Sequence, residues 1–506
     1  MAISDKTVNP LQYEGNDRLT AGIVLAVVTF WLFAQTTLNV LPAMRTELRI
    51  NDGISDIAVS ITALFSGVFI VVAGGLADRF GRVMMTYVGL ALSAIGSLLI
   101  ATSPCGTVIF LMTGRIIQGV SAACIMPATL SLMKAYYDGA ARQRALSFWS
   151  IGSWGGSGLC ALLGGVVDAT MGWRSIFWMS IAVAMASWRL IRGTPESRGD
   201  ADAATQPFDW IGLAALLIAM VAFNVVVGQG STLGWLNPIV LALMVVFAVA
   251  LLVFIRTERR CSHPFVDFRL FENTAYLAAT LSNFLLNGVA GALLIVLLLV
   301  QKAYGLSSLQ SGLMTAGYLV AILMTIRVGE KLHQRWGGPR RPMLIGCAVT
   351  AGGIVLTTFT YVSATGYVII AVIGFTLLGI GLGLYATPST DAALSSVADA
   401  RSGAASGIYK MASSLGTAFG IAISAAIFTA LTATDGFSPM RSLPAIHPDR
   451  LRFAAAIALW FNVAMVLFAA LAIRLGMPKQ RSSSECGRKP EDTGRVELLT
   501  ELPNEK

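Results

Sequence analysis

Long apolar runs separated by short polar loops constrain the fold of this chain more than any other feature of its sequence. A helix needs about 20 apolar residues to cross the hydrocarbon core of a bilayer, and roughly fourteen runs approach or exceed that length. The predicted spans are 19–41, 57–77, 83–103, 107–131, 145–167, 174–191, 209–229, 236–256, 275–301, 308–328, 342–362, 367–390, 404–431 and 452–473. Only 12% of the residues are charged, about half the share in a soluble domain. The sequence therefore predicts an all-α integral membrane protein.

Basic residues are concentrated in one set of the loops between these runs. This set contains Arg79 and Arg82, Lys134 to Arg144, Arg189 to Arg198, Arg256 to Arg269, and Lys331 to Arg341. The positive-inside rule places these loops in the cytoplasm, and an even number of spans places both termini there as well. This topology explains the net charge of +9 better than nucleic-acid binding does. The three histidines, His263, His333 and His447, are expected in loops and suggest no metal site.

Three segments with several glycines lie at membrane depth or at the membrane surface, and two of them also contain charged or amide side chains. Residues 74–82 read Gly-Gly-Leu-Ala-Asp-Arg-Phe-Gly-Arg and are predicted as a short surface loop between the second and third spans. Residues 111–119, within the fourth span, contain Arg115 and Gln118, and residues 152–165 are rich in glycine. An arginine at membrane depth costs several kcal/mol unless it is paired, so Arg115 is a candidate functional residue. The alternative is a structural arginine bonded to backbone carbonyl groups.

These segments resemble sequence motifs of the major facilitator superfamily. The pattern G-x-L-x-D-R-x-G-R at 74–82 is similar to its signature loop, and L-x-x-x-R-x-x-Q-G at 111–119 is similar to its fourth-helix motif. The glycine-rich segment resembles the antiporter motif, with Cys160 and Ala161 at the positions of the usual Gly-Pro pair. Residues 30–35, 150–158 and 407–412 resemble quinolone and multidrug efflux pumps of the NorB type, within the fourteen-span drug:proton antiporters.

The resemblance implies a major facilitator fold of two six-helix bundles with two inserted helices. The bundles are expected at 19–191 and 275–473, the inserted helices at 209–256, a cytoplasmic tail at 1–18 and a disordered tail at 478–506. It also implies a multi-pass protein of the bacterial cell (inner) membrane that exports drugs in exchange for protons by alternating access. We expect no enzyme activity and no cofactor, a monomer in contact with membrane lipid, and small-molecule drugs or metabolites and protons as its partners.

The residues expected to couple protons or to switch conformation are Asp78, Arg79, Gly81, Arg82, Arg115, Asp391 and Lys410. Asp78 and the arginines around it are expected to hold one access state shut. No acid falls in the middle of a predicted span. Asp391, three residues past Pro388, is the best candidate to carry a proton, because desolvation favours the neutral form of a carboxyl group. Lys410 is its expected partner.

Uncharged polar and aromatic residues within the spans are expected to line a substrate cavity. They are Trp31, Gln35, Asn39, Gln118, Asn283, Asn287, Tyr318 and Tyr409. By the resemblance, Gly156, Gly164 and Gly165 are expected to allow close helix packing. Many fourteen-span antiporters have an aspartate in the first span, but this chain has none at 33–39, which favours zwitterionic or neutral drugs over dications.

Three other functions are compatible with the same residues. The protein could export a natural metabolite or a siderophore, take up a solute as a symporter, or sense a ligand without moving it. The chain has no G-x-x-x-x-G-K-[ST] phosphate loop, which argues against a pump driven by ATP.

Overall fold

The computed structural model describes residues 13–50, 52–199, 210–234, 237–260, 268–306, 308–432 and 448–478. These residues are almost entirely helical and include no β-strand. Most of the two predicted tails, residues 1–12 and 479–506, lies outside the described residues.

The first half of the chain contains eight helices. They are α1 (Asp17–Val28), α2 (Gln35–Leu48), α3 (Asp52–Phe80), α4 (Arg82–Ala101), α5 (Ile109–Tyr136), α6 (Gly139–Ser150), α7 (Gly156–Met171) and α8 (Arg174–Ile191). Two π-helical segments join neighbouring helices into longer rods: Thr29–Ala34 joins α1 to α2, and Ile151–Gly155 joins α6 to α7. These segments overlap two of the strings that carry the resemblance to efflux pumps.

The second half of the chain follows two intervening helices, α9 (Trp210–Leu233) and α10 (Pro238–Arg260). It contains α11 (Thr274–Asn287), α12 (Ala290–Tyr304), α13 (Ser308–Leu313), α14 (Ala316–Trp336), α15 (Arg340–Thr357), α16 (Ala364–Ser395), α17 (Ser402–Thr432) and α18 (Pro448–Gly476). Short 3₁₀ helices precede α11 (Phe268–Glu272) and α17 (Asp399–Arg401). We call the contact surface between α1–α8 and α11–α18 the seam.

Many of these helices can cross a membrane. Nine helical stretches, some of which join two consecutive helices, are long and apolar enough within the described residues, or ten if the bent pair Ile61–Gly67 and Phe69–Phe80 forms one span. Each of the predicted spans contains helix. The protein is therefore a multi-pass membrane protein, and a total of fourteen crossings stays a prediction.

The prediction of a surface loop at 74–82 is wrong. Helix α3 continues through Asp78 to Phe80, and α4 begins at Arg82. Gly81 alone interrupts the helices, with φ at +126°, a conformation that an L side chain rarely adopts. The carboxyl group of Glu196 also occupies the space that a Cβ at Gly81 would need. One glycine therefore turns the chain where the sequence pattern suggested a longer connection.

Glycines bring α3 and α17 into backbone contact across the seam. A Cβ on Gly74 would collide with the carbonyl oxygen of Gly403, and a Cβ on Gly407 would lie 2.8 Å from the carbonyl oxygen of Ile70. The intervening pair of helices reaches the same region, because α9 contacts α3 and α17 while α10 packs on α9. Exposed apolar side chains on α10, such as Val245 (62% exposed), are typical of a helix that faces lipid.

Candidate functional site

Asp78 joins the end of α3 to the start of α17. Its carboxylate accepts hydrogen bonds from the backbone N–H groups of Gly403, at 2.9 Å, and Ala404, at 3.0 Å. The first N–H groups of a helix lack partners within that helix and carry partial positive charge, so a carboxylate stabilises them. The side chain is buried. Asp78 therefore connects the two halves of the protein, because it lies in the first half and binds the N-terminus of α17 in the second.

Arg82 holds the Asp78 carboxylate in place. Its Nη2 and Nε atoms lie 2.9 and 3.1 Å from Asp78 Oδ1. It also donates to the Ser197 hydroxyl at 3.0 Å and to the carbonyl oxygen of Asp399. The neighbouring Arg79 places its guanidinium 5.8 Å from the centroid of the Phe80 ring. Arg82 therefore binds both Asp78 and the opposite half of the protein.

The segment after α8 packs against this cluster, which sequence analysis did not foresee. Glu196 accepts hydrogen bonds from the N–H groups of Val83, at 2.8 Å, and Met84, at 2.9 Å, and so caps α4. Gly199 N–H donates to the carbonyl oxygen of Asp78 at 2.8 Å. A glutamate in a polar loop has no sequence signal that identifies it as a cap on a distant helix.

A second polar cluster crosses the seam at Asp391, which is buried in the last turns of α16. Asp391 Oδ1 lies 2.8 Å from Arg142 Nε on α6, and Gln143 Nε2 donates to Oδ2 at 3.2 Å. His333 Nε2 lies 3.8 Å from the same Oδ2. His333 is buried within α14, so its predicted position in a loop is wrong.

The predicted pairing of Asp391 with Lys410 is also wrong. Lys410 Nζ lies 4.1 Å from the centroid of the Trp149 ring on α6, in a cation–π contact. The face of α16 that bears Asp391 packs against α6, and this contact brings Arg142 to the carboxylate. Arg142 was recognised in the sequence only as one of several loop charges, and the residue that pairs with it is 249 positions away.

A third contact closes the same end of the seam. Lys134 Nζ, at the end of α5, lies 3.1 Å from Asp399 Oδ1 and donates to the carbonyl oxygen of Val397. The Asp399 side chain is 78% exposed, whereas that of Lys134 is 5% exposed. The lysine is thus held mainly by the loop between α16 and α17.

Arg115 is fully buried within the first half of the chain, and its described partners are all neutral. The guanidinium donates to the carbonyl oxygens of Ala58 and Ala34, each at 2.8 Å. It also donates to Thr37 Oγ1 at 3.0 Å and to Gln118 Oε1 at 2.9 Å. This geometry matches the alternative given in the sequence analysis, a structural arginine bonded to backbone carbonyl groups. The arginine here joins α2, α3 and α5. A role of Arg115 in transport stays a prediction.

Several predicted cavity residues bond to one another. Asn283 Nδ2 donates to the carbonyl oxygen of Tyr409 at 2.9 Å, and Asn287 Nδ2 donates to Asn283 Oδ1 at 2.9 Å. The Tyr409 hydroxyl lies 2.9 Å from Ser389 Oγ, and Gln118 donates to Ser97 Oγ at 3.3 Å. These groups stabilise packed helices here, and their role in substrate binding stays a prediction.

The remaining predicted cavity residues are partly buried or have side chains outside the described part of the structure. Trp31 lies in the first π-helical segment and is partly buried, and its Nε1 has no hydrogen-bond partner among the described residues. Tyr318, on α14, is also partly buried. The side chains of Gln35 and Asn39 lie outside the described part of the structure.

The three glycines of the antiporter-like motif differ in their packing. A Cβ on Gly156 would lie 3.0 Å from Trp31 Cβ, so this glycine lets the two π-helical regions approach closely. Gly164 is buried. A Cβ on Gly165 would meet no described atom within 4 Å, so the prediction of close packing is wrong for Gly165, which points to open space.

A cavity of about 400 Å³ lies between α4 and α8. Its lining is mostly apolar and consists of Leu90, Ala91, Ala94, Ala184, Met185, Trp188, Arg189 and Arg192. Of the predicted substrate residues with described side chains, none lines this cavity. It is therefore separate from the substrate path expected between the two halves.

Comparison with known proteins identifies the family. A model described as "Major Facilitator Superfamily" matches residues 23–282 and 275–498. The chain is 47% identical over 471 residues to the quinolone resistance protein NorB of Staphylococcus aureus strain MRSA252, covering 93% of this chain and 98% of that protein. Identity to the NorB protein of strain COL is 46% over the same length.

Two solved structures share the fold at low sequence identity. One is the human organic anion transporter MFSD10 (TETRAN), with a TM-score of 0.63 and 14% identity, over 90% of this chain and 99% of that chain. The other is the proton:xylose symporter XylE, with a TM-score of 0.63 and 17% identity, over 91% and 95% of the two chains. Together, the family match and the extent of the similarity show that this chain belongs to the Major Facilitator Superfamily.

Proposed function

We propose that this protein is a secondary multidrug efflux transporter that exchanges protons for quinolone-like and other amphipathic compounds. The extended similarity to proteins named for quinolone resistance supports this assignment. The structural observation that carries it is a set of buried polar contacts that closes one end of the seam, centred on Asp78 and Asp391. A transporter that works by alternating access needs such a reversible closure.

These contacts form a seal that has to separate when the protein opens at this end. Asp78 bonds to α17, Asp391 bonds to Arg142, and Asp399 bonds to Lys134. We assign this end to the cytoplasm by the positive-inside rule, together with both termini. In this conformation the substrate path is then closed to the cytoplasm, and drug enters the cycle after the seal separates.

Protons are proposed to act through Asp391. Separation of Arg142 from a charged Asp391 would leave a buried carboxylate unpaired, which costs about 3–5 kcal/mol in typical proteins. Protonation of Asp391 removes that charge and so favours separation of the two halves. Asp78 is better suited to a structural role, because two backbone N–H groups at the start of α17 bond to its carboxylate across the seam. Asp78 is therefore proposed as a latch and Asp391 as the proton carrier.

Everted membrane vesicles with an imposed proton gradient test this function. Norfloxacin, ethidium, tetracycline and a neutral dye are added in turn, and a pH-sensitive fluorophore reports the gradient. We expect norfloxacin to dissipate the gradient in vesicles that contain the protein, and to have no such effect in vesicles with the Asp391→Asn variant. No response to any of these compounds, with the protein detected in the membrane, would contradict drug antiport and favour a metabolite exporter or an uptake transporter.

A further inference from the structure

Among the described residues, no carboxylate pairs with Lys410, which distinguishes it from four other cations at the seam. Arg82, Arg142 and Lys134 each pair with an aspartate. Arg327, which places its guanidinium 4.7 Å from the Phe148 ring across the seam, pairs with Glu330 at 2.5 Å. Within the described residues, Lys410 makes neither an ion pair nor a hydrogen bond. Its ammonium group contacts the faces of two aromatic rings.

The position of Lys410 is set by the helices that carry it and its aromatic neighbour. Lys410 follows Gly403, which contacts Asp78, by seven residues on α17, and Trp149 follows Arg142 by seven residues on α6. At 1.5 Å per residue, both side chains lie about 10 Å from the seal toward the membrane interior. The lysine and the ring therefore meet between the two halves, at a depth where substrate passes during alternating access.

The two aromatic rings beside the Lys410 ammonium group are held by burial and by hydrogen bonds. Trp149 is buried, and its Nε1 donates to Thr129 Oγ1 at 3.1 Å. Tyr409, whose ring centroid lies 6.0 Å from Lys410 Nζ, is held by hydrogen bonds to Ser389 and Thr390. Lys410, taken as a whole residue, is partly exposed. Both rings are almost fully buried, so they hold the Lys410 ammonium group in position between the two halves, where an acidic group of a substrate can pair with it.

We propose that Lys410 is the anion-binding subsite of the drug path and takes the carboxylate of a substrate. The inference rests on the proposed drug-export function and adds the substrate class: compounds that carry a carboxylate and are zwitterionic or anionic. A cation at membrane depth is costly without a partner, and cation–π contact offsets only part of this cost. A substrate carboxylate supplies the missing charge and forms a charge-assisted hydrogen bond.

Equilibrium dialysis of the full-length protein in lipid nanodiscs, against norfloxacin and its ethyl ester, tests the subsite. The ester keeps the aromatic ring system and the amine but lacks the carboxylate. We expect the wild-type protein to bind norfloxacin about 10- to 100-fold more tightly than the ester, the range of one charge-assisted hydrogen bond. Lys410→Met should remove this preference and leave ester binding unchanged, and Lys410→Arg should keep most of it.

Ester binding also serves as the folding control, because a misfolded variant would bind neither compound. Lys331→Met is the matched control, since it makes the same chemical change at an exposed position on α14. Equal loss of both compounds in Lys410→Met and Lys410→Arg would overturn the subsite and indicate a structural or coupling role. Equal wild-type affinity for the two compounds would overturn the subsite alone. Wild-type protein that binds neither compound would overturn the proposed quinolone export as well as the subsite.

Discussion

Asp78→Asn is expected to shift the protein away from the closed seal. The carboxylate accepts four hydrogen bonds, but the two from Arg82 lie within the first half and can persist when the halves separate. The two from Gly403 and Ala404 cross the seam and exist only while the seal is closed. The conformational equilibrium therefore depends on these two bonds.

The size of the shift follows from the charge on the acceptor. A hydrogen bond to a charged group contributes about 1.5–3 kcal/mol. Asparagine removes the negative charge and replaces one acceptor oxygen by a donor, which faces an N–H group of α17. Loss of about 3 kcal/mol across the seam lowers the ratio of sealed to open protein about 100-fold, since 1.4 kcal/mol corresponds to a factor of ten.

Spin labels on both sides of the seam measure this ratio. Asp138, before α6, and Arg335, near the end of α14, are exposed and belong to different halves. They are replaced by cysteine in a background without the native cysteines, and the distribution of distances between the labels is recorded by double electron–electron resonance. We expect one short distance to dominate in the wild-type protein and a longer one to gain population in Asp78→Asn.

Asp399→Asn is the matched control, because it makes the same change in the same cluster. Its carboxylate is 78% exposed and pairs with Lys134, and exposed ion pairs typically contribute no more than about 1 kcal/mol. The ratio of sealed to open protein, read from the distance distribution, should change by less than about fivefold. Equal shifts in both variants, or no shift in Asp78→Asn, would refute the argument that buried bonds to the start of α17 hold the seal.

Three further variants test other parts of the site. The Arg115→Lys protein should insert into the membrane but lose drug flux, because one ammonium group cannot reach acceptors on several helices as a guanidinium does. Flux equal to that of the wild-type protein would refute a role for these hydrogen bonds in transport. Asp391→Asn should keep drug binding in nanodiscs but lose pH-driven exchange in vesicles, and an unchanged pH dependence would place the proton site elsewhere. Gly403→Ala should reduce flux strongly, because the new Cβ collides with the carbonyl oxygen of Gly74. Gly165→Ala is the control and should leave flux unchanged, because a Cβ there meets no described atom within 4 Å. Equal flux in the two variants would contradict the packing argument.

The fold class, the family and the approximate positions of the helices could be predicted from the sequence, because they depend on local properties of the chain. Apolar runs must form helices in lipid, where backbone groups need internal partners, and helices occupy the predicted runs. The motif around Asp78 also identified a residue that bonds across the seam. Local pattern did not place the turn correctly, because Gly81 alone is enough to separate α3 from α4.

The sequence by itself determined which residues are chemically unusual, such as a buried arginine at position 115 and an acid beyond Pro388. Only the tertiary structure decided which groups meet. Asp391 contacts Arg142 rather than Lys410, and Lys410 meets Trp149. The physical reason is that these contacts cross the seam, so they depend on which helix faces pack together when the two halves associate. Helical periodicity defines the faces of each helix but not the partner that each face will meet.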